Sequence, residues 1–276
     1  MKNETIALKD LYRVQGGTLT TYAMELPFDE GHEDWRRPAV IVVPGGGYHF
    51  VSRREAEPIG AEFWARGFQV FILDYLVAPD GVYYPEELLE LACAVDYVRK
   101  NAGAYCVNPD EIFAVGFSAG GHLVASLSTN YHVALSEYAG DIDPRLTAAG
   151  LIYPVISDRY DESETHGNLF AGAEEAYREA KLPLMRLDEQ VSEVTAPAYI
   201  FSTYEDTVVS SRNSLKYALA MAEAKVPYEL HVYKNGHHGM STAKTEINTG
   251  SERFVRNRAW LDDCAAFFRD FTVEEM

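Results

Sequence analysis

Apolar and polar positions along the chain fall into two alternating patterns. Short, unbroken apolar runs bounded by glycine or polar residues read as strands buried on both faces. They are "PAVIVVPGGGY", "FQVFILDY", "EIFAVGFS", "TAAGLIYPVIS", "APAYIFSTYED" and "PYELHVYK". Between them lie stretches with helical periodicity. In "PEELLELACAVDYVRKNA", Leu88, Leu91, Ala92, Val95 and Val98 share one face, and basic residues gather near its C-terminus. "AGGHLVASLSTN", "SRNSLKYALAMAEAKV" and "RAWLDDCAAFFRDF" carry the same signature. The helix after the first strand ends near Arg66-Gly67, where glycine suits the position just past a C-cap. Strand alternating with helix predicts an α/β architecture, a largely parallel sheet covered by helices on both faces.

The rhythm breaks between about Ser157 and Thr195, a stretch too long for a simple connection. It reads as an insertion or lid inside a single domain spanning residues 1–276. Ser52-Arg53-Arg54-Glu55 has the spacing of a capping box, but Pro58 belongs in the first turn of a helix. Residues 52–57 therefore read as a turn leading into that helix, with Glu55 in a structural role.

Composition narrows the function classes. A formal charge of −18 argues against nucleic acid and anionic membrane surfaces as partners. No apolar run approaches membrane-spanning length, and "MKNETIALKD" lacks the apolar core of a signal peptide, so a cytoplasmic protein is expected. Cys93, Cys106 and Cys264 are too scattered for a disulfide framework or a zinc site; Cys93 and Cys264 read as core thiols. Neither a metal nor a cofactor is implied. A homo-oligomer is compatible with the sequence, which does not specify the state.

Gly116-Phe117-Ser118-Ala119-Gly120 fits G-x-S-x-G. The pattern is weak alone, but here a β-rich run precedes it and a helical pattern follows. A strand-to-helix turn this sharp presents a serine hydroxyl above the carboxyl end of a sheet, at the positive end of the next helix. Ser118 is therefore the candidate nucleophile. The oxyanion formed by its attack needs donors, and the Ala119 amide can be one. Gly45-Gly46-Gly47 follows the strand "AVIVV" and can expose more, Gly46 and Gly47 foremost; neither G-x-G-x-x-G nor a Gly-Lys-Ser/Thr ending supports a phosphate loop.

Of eight histidines, His237 and His238 both follow the last strand in "VYKNGHHGM" and complete the order serine, acid, histidine; His238 is the candidate base because His-Gly continues the pattern of the resemblance given below. Its neighbour His237 is the alternative. His122, one helical turn after Ser118, suits packing or hydrogen bonding near the elbow, and His231 lies mid-strand. The acid should come from a loop after an earlier strand. Asp206 is favoured there over Glu205, with Asp158 as a second candidate.

Together, "PGGGYHFVSRREAEPIGAEFWARGFQVFILDY", "VGFSAGGHL", "NLFAG" and "APAYIFSTYEDTVVSSRNSLKYALAMAEAKVPYELHVYKNGHHG" resemble the α/β-hydrolase superfamily. The nearer likeness is to bacterial carbohydrate-esterase-like proteins labelled acetyl esterase or xylanase. It runs through nearly the whole chain after about residue 35. The resemblance implies a mostly parallel sheet of about eight strands and a triad of Ser118, Asp206 and His238. It also implies Gly46, Gly47 and Ala119 as oxyanion donors, and a small-molecule ester as substrate. Ser202-Thr203 and Asp74-Tyr75-Leu76 depart from the more usual His-small and Asn-Tyr-Arg. The expected activity is hydrolysis of short acyl esters, such as acetyl groups on sugars, through an acyl-enzyme. A serine peptidase and a catalytically silent ligand-binding homologue are the rival expectations.

Overall fold

The computed structural model describes residues 1–27, 30–138, 140–160, 164–248 and 251–273. Eight strands form one sheet: β1 (Thr5–Ala7), β2 (Thr18–Tyr22), β3 (Arg37–Val43), β4 (Gln69–Asp74), β5 (Val107–Phe117), β6 (Ala149–Ile152), β7 (Ala198–Thr203) and β8 (Tyr228–Tyr233). Their spatial order is β1-β2-β4-β3-β5-β6-β7-β8. β1 and β2 join antiparallel, and every pairing from β4 to β8 is parallel. The helices are α1 (Glu57–Ala65), α2 (Glu86–Lys100), α3 (Ala119–Glu137), α4 (Thr165–Leu169), α5 (Glu175–Lys181), α6 (Arg212–Glu223) and α7 (Trp260–Arg269). This is the α/β architecture expected from the alternation of elements, with the mostly parallel eight-stranded sheet that the resemblance to α/β-hydrolases implies.

The unbroken apolar runs serve two cores at once, because successive strand side chains point to opposite faces. Val40 and Val42 of β3 pack with Phe113 and Val115 of β5 against Ile59 and Phe63 of α1 and Trp260, Leu261 and Cys264 of α7. The intervening Ala39, Ile41 and Val43 join Ala114, Leu151 and Ile200 in the other core, beneath α2, α3 and α6. All five apolar positions expected on the inner face of α2 are buried, as are Cys93 and Cys264.

Three segments differ from the sequence pattern. The N-terminal residues add the antiparallel strands β1 and β2; Leu19 and Thr21 of β2 are buried while their neighbours are half-exposed. The run "TAAGLIYPVIS" is a strand only over Ala149–Ile152, because Tyr153 adopts a left-handed conformation (φ 39°) and turns the chain. Residues 157–195 contain α4, α5 and two 3₁₀ turns, Leu182–Met185 and Leu187–Glu189; their residues 161–163 lie outside the described part. Among the described residues, no helix is long and apolar enough to cross a membrane.

Candidate active site

β5 ends at Phe117 and α3 begins at Ala119, so Ser118 alone makes the turn, at φ 53° and ψ −116°. Such a backbone is costly for a residue with a side chain and persists only where its surroundings hold it. The Ser118 amide donates to Ile152 O of β6 (3.1 Å), and its carbonyl accepts from the amides of His122 and Val155. The flanking glycines are required by close approach. A Cβ on Gly116 would fall 2.2 Å from Gly120 O, and one on Gly120 would fall 2.2 Å from Val43 O.

His238 reaches Ser118 from the loop after β8. Its Nε2 lies 2.8 Å from Ser118 Oγ, and its Nδ1 lies 2.7 Å from Asp206 Oδ2. A carboxylate only accepts, so Nδ1 carries the hydrogen and Nε2 is left bare to receive the serine hydroxyl. Asp206 is buried on the loop after β7, and its Oδ1 accepts the amides of Val208 and Val209, each at 2.9 Å. Those two bonds fix the carboxylate plane.

The structure thus brings together Ser118, Asp206 and His238, and it separates the alternatives. His237 is exposed, with Nδ1 2.7 Å from His238 O. Glu205 is exposed, and Asp158 is held by Arg186 Nε at 2.9 Å. His231 of β8 pairs with Glu229. His122 is buried, its Nδ1 2.9 Å from the Tyr48 hydroxyl and its ring edge-on to His166 at 5.0 Å. Burial, reinforced by His166, holds its imidazole well below the usual histidine range. A neutral His122 anchors Tyr48, the residue that closes the glycine loop.

In that loop, Gly46 O accepts from the amides of His49 and Phe50. Among the described residues, no protein acceptor engages the amides of Gly46, Gly47 or Ala119. Gly46 sits at φ 129°, where a Cβ would meet Phe50 O at 1.7 Å. Asn168 of α4 ties the far end by donating from Nδ2 to Gly47 O at 2.9 Å.

Ser118, His238 and the glycine loop share a cleft of about 710 Å³, in the size range of small-molecule sites. Phe50, 58% exposed, stands at its wall, as do Glu164 and Asn168 from the segment between β6 and β7, and Val208 and Val209 from the Asp206 loop. Glu55 also lines it, and no capping bond from Ser52 accompanies it. The sequence reading missed Glu55, Tyr153 and Asn168 as parts of this site; only Tyr48 carries a signal, its place directly after three glycines. Among the described residues, no three histidine, cysteine, aspartate or glutamate side chains are grouped to hold a metal ion.

The BD-FAE family profile matches residues 26–221. Endo-1,4-β-xylanase B of Butyrivibrio fibrisolvens is 34% identical over 225 residues, covering 79% of this chain and 35% of that protein. An acetylxylan esterase of Xylanibacter ruminicola is 32% identical over 209 residues, covering 73% and 40% respectively. The chain therefore spans between a third and two-fifths of the length of these two relatives. Among solved structures, an acetyl ester-xyloside bifunctional hydrolase from Caldicellulosiruptor lactoaceticus superposes with a TM-score of 0.80 at 25% identity, covering 97% of this chain and 96% of that one.

Proposed function

The chain belongs to the BD-FAE family, and from that premise we propose that it is a serine carboxylesterase for short acyl esters, acetyl groups on sugars first among them. The observation that carries this reading is the unbroken chain Ser118 Oγ, His238, Asp206, set beside amides that have no protein partner. In the proposed reaction Ser118 Oγ attacks the ester carbonyl while His238 Nε2 takes its proton. The negative charge on the former carbonyl oxygen faces the amides of Ala119 and of Gly46 or Gly47. Asp206, oriented by Val208 and Val209, stabilises the imidazolium, which then protonates the departing alcohol. Water repeats the sequence on the acyl-serine.

The sugar preference draws support from the names of the relatives and from the cleft wall. Phe50 offers a ring face, and Glu164 and Asn168 offer hydrogen-bonding groups, a combination suited to a hydroxyl-rich alcohol. The test is a panel of 4-nitrophenyl esters of increasing acyl length, followed by acetylated xylo-oligosaccharides. Acetate should be turned over best, and acetate should be released from the oligosaccharides. An enzyme inert toward every ester would sink the assignment; activity on aryl acetates alone would remove the sugar.

A further inference from the structure

Resting on that reading of Ser118, we propose that Glu55 is a positioning residue of ester hydrolysis, joining the oxyanion loop to the histidine loop so that both are registered on the nucleophile. Glu55 is 4% exposed, and its carboxylate faces two donors from different parts of the chain. Oε2 accepts the Gly45 amide at 3.0 Å, and Oε1 accepts the Tyr153 hydroxyl at 2.7 Å. Tyr153 in turn accepts the amide of Ser241 at 2.9 Å, three residues beyond His238, and its ring stands edge-on to the His238 imidazole at 5.1 Å. A continuous path therefore runs from Gly45 through Glu55 and Tyr153 to Ser241.

The residue before it strengthens the same link. Arg54 donates to Gly239 O at 3.0 Å and to Asn248 Oδ1 at 2.6 Å, while the Ser241 hydroxyl donates to Arg54 O. Gly45 is also where the nucleophile meets this path. A Cβ there would lie 2.9 Å from Glu55 Oε2 and 3.0 Å from Ser118 Cβ. By engaging the Gly45 amide, Glu55 removes that donor from the oxyanion site and leaves Gly46 and Gly47 to face the substrate. A carboxylate suits the task, because hydrogen bonds to an ionised acceptor are shorter and roughly twice as strong as neutral ones. It can also receive one donor on each of its two oxygens, whereas a carboxamide of the same size offers only one acceptor atom.

Glu55→Gln tests this: the Gly45 amide claims the carboxamide oxygen, so the NH₂ faces Tyr153, whose hydroxyl must then stop donating and accept from it as well as from the Ser241 amide. The loops then lose register, and kcat for 4-nitrophenyl acetate should fall about 10- to 100-fold, the cost of a misplacement on the ångström scale. KM should stay within about threefold, because the lost interaction orders the transition state rather than binding substrate. Tyr153→Phe keeps the ring against His238 but cuts the same path, so its kcat should fall similarly. The double variant should be no worse than the poorer single one within about twofold, as expected for residues acting through one link. Tyr153→Phe decides alone if Glu55→Gln does not fold. Unchanged kcat, a defect confined to KM, or fully multiplicative losses would each overturn the proposal. Absence of ester hydrolysis by the unaltered protein would instead refute the reading on which it rests.

Discussion

Ser118 Oγ and His238 Nε2 stand 2.8 Å apart although 120 residues separate them in the chain. β5 and β8 deliver the two from opposite sides of β6 and β7, so this single distance depends on the register of half the sheet. His238 Nε2 is placed to accept the hydroxyl hydrogen, and the proposed proton transfer follows from that placement.

Ser118→Ala removes the attacking oxygen and leaves the cleft intact. Its kcat for 4-nitrophenyl acetate should fall by about 10⁴-fold or more, in line with loss of a triad serine elsewhere. Calorimetric titration with a non-hydrolysable acetyl analogue should show affinity close to that of the unaltered protein. Labelling by a fluorophosphonate probe should disappear.

Asp206→Asn discriminates orientation from charge. Val208 and Val209 donate to Oδ1, so the carbonyl of the asparagine will take that position and its NH₂ will face His238 Nδ1. The imidazole must then carry its hydrogen on Nε2, where it cannot accept from Ser118. A fall in kcat of about 10⁴-fold is expected, with the fold unchanged by circular dichroism.

Gly46→Ala and Gly47→Ala should separate sharply although the residues are adjacent. At Gly46 the new methyl collides with Phe50 O, so the loop must move and a proposed oxyanion donor with it. Loss of one such donor costs about 10²- to 10³-fold in kcat. At Gly47 nothing lies closer than 3.9 Å, and its φ of 63° costs an alanine only about 1 kcal/mol. Steady-state kinetics on both variants checks the contrast.

Glu87 and Glu90 of α2 predict a pH dependence of stability. Burial pushes both carboxyls up to about 8, and neither oxygen of Glu87 has a hydrogen-bond partner. The folded protein thus holds protons that the unfolded chain releases near pH 4.5. Their stabilisation is complete below that value and is lost as pH rises toward 8. His122 works in the opposite sense: its folded value is depressed, so its contribution is lost as pH falls below about 6.5. Glu87→Gln removes one term alone. Its stability relative to the unaltered protein should rise between pH 5 and pH 8, by at most about 1.4 kcal/mol per pH unit, measured by urea unfolding.

The parallel sheet was legible because its strands are buried on both faces, which leaves runs such as "AVIVV" with no polar interruption. The places of Ser118, Asp206 and His238 were legible because each follows a strand, in the chain order of the hydrolases the sequence resembles. Glu55 was not, since residues 52–57 read as a turn leading into a helix and only the fold turns the carboxylate inward. Tyr153 was hidden for a related reason: its left-handed backbone has no signature within an apolar run. β2 escaped notice because three threonines obscure its alternation, and Glu87 because a helix pattern does not disclose which acids are covered by other elements.

Within residues 157–195, Glu164 and Asn168 reach the cleft, yet no described residue of that stretch joins the hydrogen-bonded row of Ser118, His238 and Asp206. Part of the cleft wall is therefore carried by a stretch of chain separate from the proposed reacting groups. On the proposed function, exchanging or lengthening that stretch should change which alcohol is accepted while Ser118, His238 and Asp206 keep their places. The bond from Asn168 to Gly47 is the toll gate on that freedom: any replacement segment that fails to hold the glycine loop there alters turnover as well as taste.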